Sequence, residues 1–337
     1  MERNCFRSSP RLPLSRSPRL PSLHPCLRRL SIALSEQSIT LSVEQVSKSF
    51  DEFVAVSDLS LMVRRGRIFG LIGPNGAGKT TTIRMIVGIT APDAGRIKLF
   101  GQLLTPELRD RIGYLPEERG LYKRMKVGEQ LRFLGVLKGM DARAADESAG
   151  HWLERLKLSE WKDKKTDELS KGMQQKIQFI ATVLHDPELL ILDEVFSGLD
   201  PVNAELMTGI LLELKDRGKT IIFSTHMMEQ AEKLCDDICL INRSRKVLDG
   251  SLREVKRSFG RRTVVLRAEN FDGGLQNSPL VAGVKSYGDH DEALLREGAD
   301  AQELLKELIA GGARITRFEE TELSLHDIFL RKVGEAA

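Results

Sequence analysis

Residues Gly73 to Thr81, GPNGAGKTT, fit the pattern G-x-x-x-x-G-K-[ST], and each residue type in it has a task around a polyphosphate. The glycines Gly73, Gly76 and Gly78 let the backbone of the loop, with Pro74, Asn75 and Ala77 between them, wrap its N–H groups around phosphate oxygens. Lys79 reaches the outer phosphates. Thr80 offers a hydroxyl to Mg²⁺ at the start of a helix, with Thr81 beside it. Further on, the apolar run LLIL ends in two adjacent carboxylates, Asp193 and Glu194. An ordinary buried strand that happens to end in acids is the plainer account, but the C-terminal ends of such strands are where ligands of α/β sheets gather. Adjacent carboxylates there call for a cation: Asp193 as the Mg²⁺ partner, and Glu194, on the opposite side of the strand, as the group that polarises a water.

A third stretch, LSKGMQQK, begins about ninety residues after the glycine-rich loop. Ser170 is a natural N-cap, and Met173, Ile177, Ile180, Ala181 and Leu184 form one apolar stripe behind it, which describes a capped amphipathic helix. A helix start preceded by Ser and Gly also presents N–H groups and a positive dipole end, a second anion site that the chain's own loop does not need.

The elements that must position these residues are legible as a change of period. From Ile39 the segments ITLSVEQV, DLSLMV and RIFGLIG alternate as short strands, and TTTIRMIVGI after Gly78 reads as a helix. DAGRIKLFG is a turn into a strand, residues 126 to 162 are helical, and ELLILDEV and KTIIFSTH are strands. Helices run from Val202 to Asp216 and from Met228 to Cys235. Strands alternating with helices imply a mostly parallel sheet covered on both faces, with N-terminal antiparallel strands and a helical insert at about 118–185. Past Gly250 the order strand, helix, strand, helix over RTVVLRAEN, AQELLKELIAGG, ARITRFEE and LSLHDIFLRKV predicts a small α+β module at 251–337.

Composition bounds the rest. The net charge of +3 is misleading until located: residues 1–40 hold seven Arg against Glu2 and Glu36, which leaves residues 41–337 at −2. The part expected to fold is therefore not basic, and charge gives no support to a nucleic-acid partner. Residues 1–38, rich in Arg, Ser and Pro, have the composition of a disordered extension rather than of a long amphipathic targeting helix. No run of eighteen apolar residues occurs, so any membrane function is borrowed from a partner. Cys5, Cys26, Cys235 and Cys239 form no disulfide framework or CxxC pair, and buried small thiols in a reducing compartment are expected.

GPNGAGKTT, LSKGMQQK, ILDEVFSGLD and FSTH, in that order, resemble the nucleotide-binding subunit of an ATP-binding cassette (ABC) transporter over residues 41 to 250. The wording LPEERGLY and LSKGMQQK, with the extra module, is most similar to sodium-efflux and drug-efflux exporter ATPases of bacteria. The resemblance implies a P-loop ATPase at 39–250 that binds MgATP. It implies two partners: a second copy, whose Ser170 and Gly172 close over the γ-phosphate in trans, and a multi-span membrane permease. It places the chain peripherally at the cytoplasmic face of the plasma membrane. It also makes His226 a switch histidine at the γ-phosphate, Asp200 part of a loop crossing the dimer interface, and Phe50, 29 residues before Lys79, the aromatic that stacks on adenine. From the residues alone, His226 and Phe50 can also be read as core packing, more readily for Phe50 than for His226, and Asp200 as a helix cap.

Four positions depart from the family pattern, one of them, Val195 in place of the proline often found after the acid pair, without mechanistic consequence. Lys171 and Met173 replace Gly and Gln of LSGGQ, and Glu117, 38 residues past Lys79, stands where the family has a Gln that contacts Mg²⁺ and the attacking water. Glu keeps an oxygen ligand and adds a negative charge. Two other readings stay open at this stage: an ABC ATPase of DNA repair or translation, and a nucleotide-binding regulatory module that does not hydrolyse. The single cassette, the short interval between loop and signature and the lack of zinc cysteines oppose the first. Intact Lys79, Asp193, Glu194 and His226 oppose the second.

Overall fold

The computed structural model describes residues 39–118, 120–269 and 275–335. The expected extension over 1–38, with Cys5 and Cys26, lies outside the described residues.

Strand β1 (Ile39–Phe50) turns back through β2 (Phe53–Arg64), and β3 (Ile68–Ile72) then leads through the glycine-rich loop into helix α1 (Lys79–Ile86). With β4 (Ala94–Leu99) and β5 (Gln102–Leu103) the first hairpin forms an antiparallel sheet in the order β2-β1-β4-β5. One helical turn, α2 (Pro106–Arg109), precedes β6 (Ile112–Leu115). The insert supplies α3 (Val127–Leu137), α4 (Ala142–Arg155) and α5 (Lys171–Val183). The chain returns through β7 (Leu189–Asp193), α6 (Pro201–Asp216), β8 (Thr220–Thr225), α7 (Met228–Leu234), β9 (Asp237–Asn242) and β10 (Arg245–Ser251). The second sheet runs β10-β9-β3-β8-β7-β6 and is parallel except where β10 meets β9.

Every residue of β3, β7 and β8 is buried, as strands covered on both faces must be. The two-residue period of the strand divides them between two cores. Ile68, Ile72, Leu190, Leu192, Ile221 and Phe223 pack against Ile177 and Phe179 of α5 and Leu211 of α6. Phe69, Leu71, Leu189, Ile191 and Ile222 pack against Leu41 and Val43 of β1 and Ile83 and Ile86 of α1. The switch from strand to helix after Gly78 therefore sits between both layers.

The remainder is α8 (Leu252–Ser258), β11 (Arg261–Glu269), β12 (Val281–Tyr287), β13 (His290–Leu295), α9 (Ala301–Ala310), β14 (Arg314–Glu322) and α10 (Leu325–Glu335). Its antiparallel sheet, ordered β12-β13-β11-β14, has a core of its own: Val264, Leu266, Ala293 and Leu295 face Leu304 and Leu308 of α9. Two strands here escape the sequence reading. The hairpin β12–β13 turns at Gly288 and Asp289, with Tyr287 opposite His290, and its polar, partly exposed residues give no clear apolar alternation. Helix α10 belongs to a different core: Leu325 is fully buried with residues of α6 and α7.

Cys235 and Cys239 are free and buried, as expected of small core thiols. Burial pushes the Cys239 thiol up to about 12 and the Cys235 thiol well above its ordinary value. Both stay protonated at pH 8, so a thiol-specific reagent is expected to leave these two cysteines unlabelled in the native protein and to label both in denaturant, as read by peptide mass mapping. Labelling of either in the native state contradicts the packing described.

Candidate functional site

The glycine-rich loop is held by backbone approaches that exclude side chains. A Cβ on Gly73 would collide with the Ile241 carbonyl of β9, and one on Gly78 with the Ala55 carbonyl of β2. Gly78 and Gly76 also sit at φ 107° and 76°, where L side chains are strained. The β9–β10 turn supports the loop from behind. Ser244 N donates to Ala77 O at 3.2 Å, its hydroxyl donates to Val54 O at 2.6 Å, and its carbonyl accepts from Ser57 N at 2.8 Å. Sequence reasoning missed Ser244, a serine in a polar turn with nothing local to mark it.

Lys79 is 6% exposed, and its Nζ donates to the carbonyls of Gly73 at 2.8 Å and Pro74 at 3.2 Å, folded back over its own loop. Beside it opens a cavity of about 400 Å³ lined by Asn75, Gly76, Gly78, Lys79, Thr80, Thr81, Glu117 and Glu194, with Phe53 and Ala55 at one wall. Gly73, Pro74 and Ala77 shape the loop without lining the cavity.

The two adjacent carboxylates part as a strand end requires. Asp193 is fully buried; its Oδ1 accepts the Ser224 hydroxyl, and its Oδ2 has no partner among the described residues. An orphaned buried carboxylate oxygen is costly and fits a cation ligand. No ready-made group of three His, Cys, Asp or Glu side chains occurs among the described residues. A cation here would draw most of its shell from phosphate and water, which is the habit of Mg²⁺. Asp193, the Thr80 hydroxyl and the cavity-lining Glu117 are the groups available to it.

Glu194 adopts φ 51°, a left-handed conformation that costs a non-glycine residue on the order of 1–3 kcal/mol and persists only when its surroundings enforce it. Its N–H donates to the carbonyl of Ser224 at 3.3 Å and to the Ser224 hydroxyl at 3.2 Å. His226 Nδ1 stands 3.1 Å from both carboxylate oxygens, and Lys79 Nζ 3.7 Å from one of them. Since a carboxylate only accepts, the ring donates from Nδ1 and keeps Nε2 for another partner. Ser224 touches both acids yet was read only as part of the strand before His226.

Ser170, Gly172 and Asp200 lie outside this cavity. Ser170 caps α5, its hydroxyl accepting from Met173 N at 3.3 Å, and a Cβ on Gly172 would approach the Gly198 carbonyl to 3.2 Å. Asp200 caps α6, accepting from Asn203 N at 2.9 Å, and this bond with that of the Asn203 amide holds its carboxyl below the ordinary value. Phe50 ends β1, half-exposed, with Lys48 Nζ 5.3 Å from its ring centre. Phe53, its partner across the hairpin, is the aromatic that lines the cavity. The apolar stripe of α5 is also wider than its spacing implies: Gln175, Lys176, Gln178 and Thr182 are buried along with Ile177 and Ile180.

Comparison with known proteins agrees with this geometry. The sequence profile of the ABC transporter family matches residues 56–197, and that of the ATP-binding protein DrrA1-3-like C-terminal domain matches residues 250–333. The chain is 45% identical over 294 residues to the uncharacterised ABC transporter ATP-binding protein YhaQ of Bacillus subtilis, spanning 87% of this chain and 98% of that one. It is 36% identical over 298 residues to the Nod factor export ATP-binding protein I of Burkholderia lata, spanning 87% and 97%. Among solved structures, an ATP-binding subunit of an ABC transporter superposes with a TM-score of 0.62 at 32% identity, covering 66% of this chain and 93% of that one. A dimeric, post-hydrolysis ATP-binding cassette bound to ADP and Pi shares the fold at a TM-score of 0.59 and 21% identity, covering 63% and 99%. With a glycine-rich loop, a buried Asp193 beside a cavity-lining Glu194 and a helix capped by Ser170 arranged as described, the chain belongs to the ABC transporter family as an ATP-binding subunit, an ATPase.

Proposed function

We propose that two copies of this chain enclose two molecules of MgATP and power an exporter through a separate membrane permease at the cytoplasmic face of the membrane. The observation that carries this reading is the division of the phosphate-handling groups. Lys79, Thr80, Glu117 and Glu194 meet at one cavity, whereas the helix start at Ser170 and Gly172 lies outside it. A second copy brings the missing donors to the γ-phosphate, and Asp200 stands at the same crossing. Two such pockets arise from one isologous interface.

Bound Mg²⁺ neutralises phosphate charge, with Thr80, Asp193 and Glu117 as the residues that would hold it. Lys79 turns from its loop carbonyls to the phosphates. Glu194, oriented by His226, accepts the proton of the attacking water, and the second ring nitrogen of His226 is available to the γ-phosphate. The hairpin end carrying Phe50 and Phe53 is the surface proposed for the adenine. Tighter binding of ATP to the closed pair than to the open one supplies the drive.

The permease reading rests on exposed apolar surface. Among the described residues no helix is long and apolar enough to cross a membrane, while Ile89 and Leu137 are 62% and 63% exposed. Ile89 lines a cavity of about 240 Å³ with Val87, Ile112, Tyr114 and Lys138, the residue after Leu137. Exposed Ile89 and Leu137, with a cavity that Arg109 and Lys138 also line, form the surface proposed for the permease, and the export direction follows the named relatives.

Three outcomes are expected. Glu194→Gln keeps ATP binding and slows phosphate release at least about 10²-fold, the usual loss with an acid–base group; near-normal turnover removes Glu194 from this role. Mixing Glu194→Gln with Ser170→Arg, each inactive alone, restores hydrolysis, because the mixed pair contains one pocket with both intact halves. A mixture that stays inactive shows that the signature acts in cis. Introducing Ile89→Glu with Leu137→Glu releases the chain from the membrane fraction while nucleotide binding persists, and undiminished membrane association rules this surface out.

A further inference from the structure

Helix α5, capped by Ser170, holds both loops that carry the acids of the cavity. At its second turn the Gln175 amide, 2% exposed, donates to the carbonyl of Val195, next to Glu194, at 3.3 Å. One turn further, Gln178, 5% exposed, uses Nε2 to reach the carbonyls of Pro116 and Glu118, both at 3.1 Å. These two carbonyls flank Glu117. The arrangement fixes the sense of the amide, since a flipped Gln178 would turn its oxygen toward two acceptors. Its Oε1 has no partner among the described residues, so the side chain leaves one polar atom unsatisfied in order to donate twice to one loop. A side chain present only to fill space would be better apolar, as Ile177 and Phe179 beside it are.

We infer that Gln178 is a positioning residue: its amide clamps the carbonyls on either side of Glu117 and so ties the place of that carboxylate to the helix whose first residues meet the partner's nucleotide. A helix moves as a rigid body, so displacement of its Ser170 end is carried to residues 116–118 by the Gln178 bonds and to residue 195 by the Gln175 bond. Glu117 and Glu194 are then set together, by the same event that completes the pocket. The inference rests on the reading above in two respects: that the Ser170 end of the helix meets the partner's nucleotide, and that Glu117 acts at the metal-bound nucleotide.

The test uses the full chain and the substitution Gln178→Met, which keeps length and apolar volume and removes the donors. Amide hydrogen exchange is followed in peptides covering residues 114–120 and 189–196, and the Mg²⁺ midpoint of ATP hydrolysis is measured for Gln178→Met, Glu117→Gln and the double variant. Loss of both hydrogen bonds is expected to speed exchange in 114–120 roughly tenfold and to leave 189–196 unchanged. The Mg²⁺ midpoint should rise in Gln178→Met, with no further rise when Glu117→Gln is already present, as for residues acting through one another. Unchanged exchange in 114–120, or an equal rise in both segments, overturns the inference. A full additional shift of the midpoint in the Glu117→Gln background does so as well. If Glu117→Gln leaves the Mg²⁺ response unchanged while Gln178→Met still loosens 114–120 alone, the metal reading of Glu117 fails and the clamp stands.

Discussion

The nucleotide loop depends on three backbones meeting without side chains between them. Gly73 lies against the Ile241 carbonyl of β9 and Gly78 against the Ala55 carbonyl of β2, so the loop touches the parallel sheet on one side and the antiparallel sheet on the other. A methyl group at either glycine would separate layers whose cores are otherwise close-packed. The loop is thereby a joint between the two sheets as well as a phosphate cradle. Its orientation toward the cavity follows from how the sheets stack, and Ser244 locks it in place from the β9–β10 turn.

Around that joint the charges are arranged by depth. Asp193 ends a strand buried on both faces and carries an oxygen that has no partner among the described residues. Glu194, one residue on, turns outward through a strained left-handed backbone and is held between His226 and Lys79. Strain of this kind is maintained because the surrounding hydrogen bonds leave the backbone no alternative, and Ser224 supplies them to both acids at once. In the proposed reaction, this pre-set placement of Glu194 removes a reorganisation that would otherwise accompany each turnover.

Much of this was readable from the residues, for reasons that differ by element. The phosphate loop and the acid pair are continuous in sequence, and their chemistry is local. The strands around them are apolar throughout, and their order fixes a parallel sheet. The β12–β13 hairpin was not readable, because its partly exposed residues blur the period-two signal. Phe50 and Phe53 face each other across one turn, and spacing selects the first while the cavity wall uses the second. Gln178 was invisible for another reason. Polar residues off the apolar stripe read as solvent-facing, and only tertiary packing shows that α5 is buried on nearly every side.

The last helix bears on how such chains are assembled over evolutionary time. Leu325, at the start of α10, is fully buried in the cassette's own core, and its N–H is taken by Glu232 of α7, the helix that begins two residues after His226. Lys256 of α8 stands 3.7 Å from the same glutamate. The C-terminal module is therefore not an appendage that recombination exchanges freely at Gly250. A donor lineage that contributes the module must also contribute a compatible α7, or the recipient inherits a Glu232 stripped of both contacts and an uncovered apolar face on α7.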